Sequence, residues 1–592
     1  MPPQGFADKV AFVWRVADKL RGTFKQHEYG SVMLPLLVLR RMDAVLADTK
    51  DAVVAAAEGW TDINEGQDYM LKSLAKQRFY NTSPLTFSSM LHDDKNLALH
   101  MGGYIRRLSR DAYRVMEAYN LDEKLSRMER AGILYGVVSD FADLDLRPSQ
   151  VSNEAMGYIF EELLRKFSEM SNETAGEHYT PREVISLMVD LLLTGKTLTE
   201  LVENPKPVRT VYDPAAGTGG MLMGALDKIR EANHSAVVQV YGQELNDETW
   251  AIAQSDLMMQ GISPDQMANG NTLTQDNFPT HKFDFILANP PYGVDWKGYA
   301  RPIKDEHEKL GFHGRFGAGL PRVSDGSLLF LQHMLSKMKP DGSRVGIVLS
   351  GSPLFSGQAG SGESEIRRWI LENDWLEGIV ALPDQMFYNT GISTYVWILT
   401  NRKDDPSRGL VRLIDGRESG SKMRKSLGDK RKELTGDAIA DLVRLYGGAM
   451  DEFADDPRVR VLPREEFGFQ RITVERPTTD EDGQPILKRG KPVADASLRD
   501  QENVPLPAGF FDLDESQREQ VLIEAAEKHL RDEIHPYVPV AWLDHKKTKL
   551  GVEIPFTRQF YVYEPPRPVE EIAAEIKELE GQIQQWMAGL GL

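Results

Sequence analysis

Apolar residues near the start of the chain recur at a spacing of three or four positions, with polar residues between them. Val10, Val13, Val16 and Leu20 follow this spacing. The period places apolar side chains on one face of a helix. Similar segments follow up to residue 150, so the pattern predicts a mostly helical N-terminal domain over residues 1–150.

After residue 150, short apolar runs rich in β-branched and aromatic residues alternate with segments of helical spacing. The predicted strands are Val208–Tyr212, Val237–Tyr241, Phe283–Leu287, Val345–Leu349, Leu376–Leu382 and Tyr395–Thr400. Strands and helices that alternate in this way form βαβ units, so we expect an α/β domain over residues 151–416 with a mostly parallel, doubly wound sheet. Ligands of such sheets bind beyond the carboxyl ends of the strands, and the loops there are expected to carry the chemistry.

The remaining chain consists of two segments that differ in composition and pattern. Residues 417–567 are charged and rich in Pro, Gly and Asp, and we expect an irregular C-terminal region there. Residues 568–592 carry a heptad pattern of apolar residues formed by Ile572, Ile576, Leu579, Ile583, Trp586 and Leu590. The pattern predicts a helix with an apolar seam. Either this helix folds back onto its own domain, or it binds another chain in a coiled coil, which is the interpretation we favour.

Composition narrows the classes of function. The 592 residues include 70 Lys and Arg against 89 Asp and Glu, a net charge of −19. A phosphate backbone repels such a chain unless a local basic surface or a basic partner is present. The absence of cysteine excludes disulfides, thiolate nucleophiles and Cys-ligated metal centres, and we expect no metal site. No apolar run reaches the roughly 20 residues of a membrane span, so we expect a cytoplasmic protein that does not contact a membrane.

A glycine-rich loop connects a predicted strand to a predicted helix. It reads Asp213-Pro214-Ala215-Ala216-Gly217-Thr218-Gly219-Gly220, and its glycines let the backbone approach a ligand at a helix N-terminus. The loop is not a phosphate-binding loop, and Leu222 replaces the third glycine of the dinucleotide pattern. Its leading carboxylate suits an amine or a hydroxyl, and Glu244 after the next strand is placed to accept from ribose hydroxyls. Alone, the loop is equally consistent with an ordinary tight turn.

The second motif, Asn289-Pro290-Pro291-Tyr292, follows the strand Phe283–Leu287. The Asn289 side-chain oxygen and the Pro290 carbonyl can both accept from an exocyclic NH2 group, which favours a nitrogen lone pair that is available for attack. Proline fixes φ and so fixes the direction of that carbonyl. Tyr292 offers a face on which a base turned out of its helix can stack. A plain turn at the end of a strand is the alternative.

The third motif is Glu177-His178-Tyr179-Thr180-Pro181-Arg182-Glu183-Val184. Thr180 with Glu183 has the spacing of a capping box, and Pro181 would then be the first helical residue, so a helix is predicted to start here. Capping alone does not explain an aromatic Tyr179 so close to Gly176. These two residues suit a cofactor pocket.

Together these motifs resemble an amino-group DNA methyltransferase, specifically the modification (M) subunit of a type I restriction–modification system. The further matching segments are Asp325–Phe330, Gly346–Phe355 and Phe387–Ile392. The resemblance implies a Rossmann-like S-adenosylmethionine-dependent methyltransferase domain with a helical N-terminal domain and a C-terminal helical extension. It is densest from about residue 150 to 400 and weakest after about residue 480.

The resemblance also assigns residues to roles. It implies that S-adenosyl-L-methionine is bound by Glu177, His178, Tyr179, Thr180, Pro181, Arg182, Asp213, Ala215, Gly217, Thr218, Gly219, Gly220, Glu244 and Asn271. The positive sulfonium would lie against Asp213. Asn271 stands where many relatives carry an Asp that binds the adenine of the cofactor, and its amide oxygen can still accept from that amine. The catalytic residues would be Asn289, Pro290, Pro291 and Tyr292.

The implied reaction is methyl transfer from S-adenosylmethionine to an exocyclic amine of DNA without a covalent enzyme intermediate. C5-cytosine methylation is excluded because it needs a cysteine nucleophile, and N6 of adenine is preferred over N4 of cytosine by family likeness. The implied partners are double-stranded DNA with a flipped adenine, a DNA specificity (S) subunit, a second copy of the chain and a restriction/translocase (R) subunit. Alternatives are a methyltransferase for glutamine side chains or RNA, and a non-catalytic assembly scaffold.

Overall fold

The fold is given by a computed structural model that describes residues 12, 15–170, 180–263, 266–388, 390–427, 429–482, 484–563 and 568–589. The chain forms two compact units, one that ends at Ile554 and one that begins at Pro555. No helix among these residues is long and apolar enough to cross a membrane.

The first unit begins with a helical region, as predicted. Its helices are α1 (Tyr29–Leu46), α2 (Lys50–Ala56), α3 (Glu65–Ala75), α4 (Phe87–Met90), α5 (Leu97–Arg106), α6 (Arg110–Ala118), α7 (Leu121–Arg130), α8 (Leu134–Asp143) and α9 (Asn153–Met170). Helix α1 is buried along most of its length, so it forms the centre around which the amphipathic helices pack. Val10 and Val13 of the predicted first stripe lie outside the described residues.

A nine-stranded sheet follows. Its strands are β1 (Val208–Asp213), β2 (Val237–Glu244), β3 (Met267–Asn269), β4 (Phe285–Ala288), β5 (Arg344–Ser350), β6 (Leu376–Ala381), β7 (Thr394–Thr400), β8 (Leu410–Asp415) and β11 (Val459–Pro463), with β9 and β10 given below. Their order is β11-β8-β6-β7-β5-β4-β1-β2-β3. Only β7 and β11 run antiparallel to the rest, which confirms the expected mostly parallel sheet. Because β2 and β4 flank β1, the strand order reverses there, where ligands of such sheets bind.

Helices precede β1 and lie between several of the later strands. They are α10 (Arg182–Leu192), α11 (Gly195–Glu203), α12 (Gly220–Ala232), α13 (Asp247–Met259), α14 (Ala300–Leu310), α15 (Ser327–Ser336), α16 (Ser352–Phe355), α17 (Gly362–Glu372) and α18 (Gly436–Gly447). The long segment from β4 to α15 contains α14, and it contributes Trp296, Ile303 and Phe316 to a small apolar cluster that also includes Leu273 and Leu329.

Residues 417–567, which we expected to be irregular, contain regular elements. They are β9 (Ser421–Leu427), β10 (Lys430–Glu433), β12 (Gly468–Glu475), β13 (Leu487–Lys488), β14 (Lys491–Pro492), β15 (Asp500–Pro505), α19 (Glu515–His529), β16 (Trp542–Leu543) and β17 (Lys549–Val552), besides α18 and β11. Strand β12 pairs with β15, β16 and β17, and α19 helps to bury Ile472 and Val474. Sequence patterns did not reveal these strands because most of them are short or charged, and the longest, β12, pairs with strands distant in the chain.

The described part of the second unit contains α20 (Phe556–Gln559) and α21 (Val569–Gly589). The predicted C-terminal helix is therefore present. The seam residues from Ile572 to Trp586 are exposed, with Trp586 exposed to 69%. Leu590, the last residue of the predicted seam, lies outside the described residues.

Candidate active site

A cavity of about 930 Å³ opens at the carboxyl ends of the central strands and is lined by several of the predicted motifs. The predicted residues that line it are Thr180, Asp213, Ala215, Gly217, Thr218, Gly220, Glu244, Asn271, Asn289, Pro290, Pro291 and Tyr292. Gly219, Pro181 and Arg182 are not among the lining residues. Glu177, His178 and Tyr179 lie outside the described residues.

The glycine-rich loop owes its shape to two glycines with positive φ. Gly217 has φ +55° and Gly219 has φ +84°, a backbone region that disfavours any residue with a Cβ. Gly219 turns the chain into α12, and a Cβ there would lie 3.3 Å from the Cβ of Ala253. The role of Gly219 is thus to shape the turn. The amide of Ala216 donates to the Gln243 carbonyl at 3.0 Å, which ties the loop to the end of β2.

Asp213 ends β1 at the base of the cavity and is 1% exposed. Its Oδ1 accepts from the Ala215 amide at 2.9 Å. Burial raises the pKa of this carboxyl, the Ala215 hydrogen bond lowers it and the nearby Glu244 carboxylate raises it, and the net pKa is about 8. Asp213 is therefore a buried acid whose ionised form a positive ligand would stabilise.

The Glu244 and Asn271 side chains accept hydrogen bonds from backbone amides in addition to lining the cavity. Glu244 accepts from the Gly217 amide at 2.9 Å through Oε2 and from the Asn246 amide at 2.8 Å through Oε1. The Asn271 Oδ1 accepts from the Leu273 amide at 3.0 Å. Each of these oxygens has a second lone pair for a ligand. The same side chains can thus shape the loops and bind a ligand.

Asn289 stands directly after β4, and its side chain is held at both ends. Its Nδ2 donates to the Thr180 hydroxyl at 3.0 Å, which orients the amide so that Oδ1 faces Tyr292. The Tyr292 hydroxyl donates to that Oδ1. The acceptor predicted for a substrate amine is therefore already paired with Tyr292 in this structure.

Tyr292 itself is partly buried against a second aromatic residue. Its ring meets Phe387 edge-on, with centroids 6.0 Å apart and an interplanar angle of 87°. Burial raises the pKa of the Tyr292 phenol well above its ordinary value, so the group remains a hydrogen-bond donor at neutral pH. The two rings form an aromatic corner at the edge of the cavity.

The prediction of a capping box at Thr180 is wrong. Helix α10 begins at Arg182, Pro181 is its N-cap residue, and no side chain caps it. The Thr180 hydroxyl instead accepts from Asn289, and Glu183 forms an ion pair with Lys430. The spacing matched a cap, but both side chains have partners far away in the chain that the spacing cannot reveal.

Sequence reasoning did not assign site roles to several lining residues. Trp296, Tyr299 and Arg322 come from the segment between β4 and α15, and Phe387 and Ile392 come from the loop before β7. The aromatic residues soon after Asn289-Pro290-Pro291-Tyr292 were a signal that could have been used. Arg322 is half exposed and donates to the Ser352 hydroxyl at 2.6 Å.

Arg315 connects that same segment to the Asn271 loop. It donates to the carbonyls of Thr272 at 2.7 Å and Leu273 at 3.0 Å, and Glu306 pairs with it at 2.6 Å. His333 lies beside Arg315 and is fully buried; burial lowers its pKa well below the ordinary value. A neutral imidazole there can accept from Arg315, which helps to fix the loop.

The N-6 DNA Methylase family profile matches residues 151–459, which hold this cavity and every strand of the sheet except β11. The chain belongs to the N-6 DNA methylase family. Residues 10–141 of this N-6 DNA methylase match the HsdM N-terminal domain. These matches confirm the expectation of a DNA methyltransferase and the resemblance to type I modification subunits.

Similarity to individual proteins supports the same family assignment for this N-6 DNA methylase. It is 25% identical to the type I restriction enzyme MjaIX methylase subunit of Methanocaldococcus jannaschii over 74% of this chain and 77% of that protein. It is 31% identical to the HindI methylase subunit of Haemophilus influenzae over 49% and 60%. The crystal structure of a type I methyltransferase subunit from Streptococcus thermophilus has the same fold, with TM-score 0.60 and 23% identity over 78% of this chain and 97% of that one.

Proposed function

We propose that this chain transfers a methyl group from S-adenosylmethionine to the exocyclic N6 amine of adenine in double-stranded DNA, as the modification subunit of a type I restriction–modification complex. One observation carries the proposal: the glycine-rich loop that follows Asp213 and the tetrapeptide that begins at Asn289 line the same cavity. A cofactor site and an amine-binding site in one cavity are what direct transfer between two ligands requires.

The residues of the cavity fit S-adenosylmethionine. Asp213 is a buried carboxyl that no described basic side chain holds, and a sulfonium or ammonium charge beside it would stabilise its ionised form. Gly217 and Thr218 would lie along the ligand, Glu244 would accept from ribose hydroxyls and Asn271 from the adenine amine. The cofactor supplies an activated methyl group and its own leaving group.

The chain's contribution to the reaction is positioning. The Asn289 Oδ1 and the Pro290 carbonyl would accept from the two hydrogens of the adenine amine, which keeps the nitrogen lone pair available for attack. Thr180 holds the other end of the Asn289 amide, so its orientation is set before substrate binds. For the amine to reach Oδ1, the Tyr292 hydroxyl must leave it, and the Tyr292 ring can then stack on the flipped base.

A subunit with a net charge of −19 is expected to bind DNA weakly by itself, so we propose that an S subunit reads the DNA sequence. A second copy of this chain and an R subunit would complete the assembly. The exposed seam of α21, from Ile572 to Trp586, is the docking element that we propose for a partner helix. Removal of residues 568–592 should release the chain from a co-expressed S subunit; an intact assembly would contradict the docking role.

The reaction is tested with labelled S-adenosylmethionine and duplex DNA, with and without the co-expressed S subunit. We expect label in N6-methyladenine, strongly stimulated by the S subunit, and none with Asn289→Ala. Label in N4-methylcytosine, RNA or protein glutamine, in place of adenine, would refute the proposed substrate. Cofactor binding without transfer to any of these would favour the scaffold interpretation.

A further inference from the structure

A strongly basic hairpin interrupts this acidic chain. It consists of residues 421–433, in which β9 and β10 pair antiparallel, and we call it the basic hairpin. Six of its 13 residues are Lys or Arg and two are Asp or Glu. The surface that the acidic composition requires for contact with a phosphate backbone is thus present in one short segment.

The basic hairpin is fixed to the loop that forms one wall of the cavity. The amides of Arg431 and Lys432 donate to the Gln385 carbonyl at 2.9 and 3.2 Å, and the Asp429 amide donates to the Tyr388 carbonyl at 3.0 Å. Phe387, which lies between these two carbonyls in sequence, lines the cavity. The hairpin is therefore attached to the wall that carries one ring of the aromatic corner.

One lysine of the basic hairpin serves to anchor it. Lys430 is 3% exposed and pairs with Glu183 at the start of α10. This ion pair joins the hairpin to the helix that follows Thr180. Lys430 is therefore not available to an external ligand.

Other cations of the basic hairpin face outward. Lys422 and Arg424 are exposed, Lys432 is partly exposed, and none of the three has an ion-pair partner among the described residues. Lys422 lies directly opposite Lys432 in the pairing of β9 with β10, and Arg424 follows two residues later on β9, where the register of the pairing shifts. Like charges placed opposite one another destabilise a strand pair, and a bound polyanion would remove that cost.

We propose that Lys422, Arg424 and Lys432 bind the backbone phosphates of duplex DNA next to the base that enters the cavity. This rests on the proposed DNA methyltransferase function and adds to it the element by which this subunit holds the duplex at its own active site. Phosphate contacts of this kind set the position of the duplex and carry no sequence information. Sequence reading by another subunit is compatible with this role.

The test removes three charges from the full chain in the triple variant K422A/R424A/K432A. Its matched control is K488A/R489A/K491A, which removes three charges from another exposed hairpin, β13–β14, that does not line the cavity. The measurements are anisotropy of a labelled duplex at several salt concentrations, calorimetry with S-adenosylmethionine, and circular dichroism.

We expect the triple variant to weaken DNA binding at low salt by roughly tenfold or more. The slope of log K against log salt should shrink by about 2 to 3, because each lost phosphate contact removes about 0.9. Cofactor affinity and the dichroism spectrum should stay at the wild-type values. The variant K422R/K432R, which keeps every charge, should bind DNA like the wild type.

Three outcomes would overturn the inference. The first is an unchanged salt slope in the triple variant, and the second is an equal loss in the control. The third is loss of S-subunit co-purification with DNA binding unchanged, which would make the basic hairpin a protein-docking surface. A different result would refute the proposed function itself: wild-type protein with the S subunit would bind the cofactor and the duplex but transfer no methyl group to adenine.

Discussion

Asp213 leads to a quantitative prediction about pH and cofactor affinity. Burial raises the pKa of its carboxyl to about 8, so the free protein holds it protonated at neutral pH. A positively charged ligand beside it stabilises the carboxylate and lowers that pKa. Binding of S-adenosylmethionine below pH 8 should therefore release a proton from Asp213.

The size of the effect follows from linkage. Each pH unit below the pKa of the free protein adds about 1.4 kcal/mol to the cost of ionising Asp213, which is a tenfold loss of affinity. Between pH 8 and pH 6 the dissociation constant should rise by about fiftyfold, and above pH 8 it should level off. At pH 6.5 close to one proton should be released for each cofactor bound.

Calorimetry in buffers with different ionisation enthalpies measures both the affinity and the number of protons released. The matched control is Asp213→Asn, whose amide oxygen can still accept from Ala215 but cannot ionise. It should bind the cofactor weakly, with no dependence on Asp213 ionisation. If the wild type releases no proton and its affinity curve has the same shape as that of Asp213→Asn, the assignment of Asp213 to the positive ligand is refuted.

The pH dependence of unfolding provides an independent check on Asp213. Stability of the ligand-free fold should fall as pH rises, whereas cofactor affinity should rise. The ordinary pKa of Asp is 3.8 and the folded value is about 8, so the unfolded chain loses this proton first as pH rises. Between these two values, each pH unit destabilises the ligand-free fold by on the order of 1.4 kcal/mol. Asp213→Asn should therefore be more stable than the wild type at pH 8, and the difference should vanish near pH 4. Urea unfolding at both pH values measures it.

The other predictions concern positioning residues. Asn289→Ala should abolish methyl transfer and leave cofactor affinity unchanged in calorimetry, because Asn289 is assigned to the amine; lost cofactor binding would contradict that role. Tyr292→Phe frees Oδ1 and keeps the ring, so KM for DNA should fall or stay level, whereas Tyr292→Ala should lose about 1–3 kcal/mol of stacking; equal losses in both would refute the stacking role. Arg315→Met removes the donors to Thr272 and Leu273, so KM for the cofactor should rise about tenfold with little change in kcat; a fall in kcat alone would disagree.

Much of the central sheet was predictable because each core strand carries its own signal. The run Phe283–Leu287 is apolar except for Asp284 and ends at a turn, and β4 is observed at Phe285–Ala288. Parallel strands buried on both faces read as continuous apolar runs. The same signal is absent from β12, whose buried residues include Gln470, Thr473 and Glu475. Gln470 donates to the Leu522 carbonyl at 2.9 Å, and Glu475 pairs with Arg499 and Lys547. A local pattern cannot supply such distant partners.

In the candidate site, too, the sequence predicts some features and not others. Asp213, Glu244 and Asn289 were predictable because each stands at the carboxyl end of a strand, and the carboxyl ends of parallel strands meet at one edge of a sheet. The partnership of Thr180 with Asn289 was not predictable, since 109 residues separate them.

By itself the sequence determined the alternation of strands and helices, the loop and the tetrapeptide to which we assign cofactor and amine binding, and the exclusion of cysteine-based catalysis. Those features depend on local periodicity, on backbone restrictions of Gly and Pro, and on which side chains exist. Only the tertiary structure decided that the Tyr292 hydroxyl occupies the Asn289 oxygen, that burial keeps Asp213 protonated near neutral pH, and that the basic hairpin adjoins the cavity. Hydrogen-bond partners, desolvation and neighbouring charges come from residues far apart in the chain, so folding has to bring them together before they act.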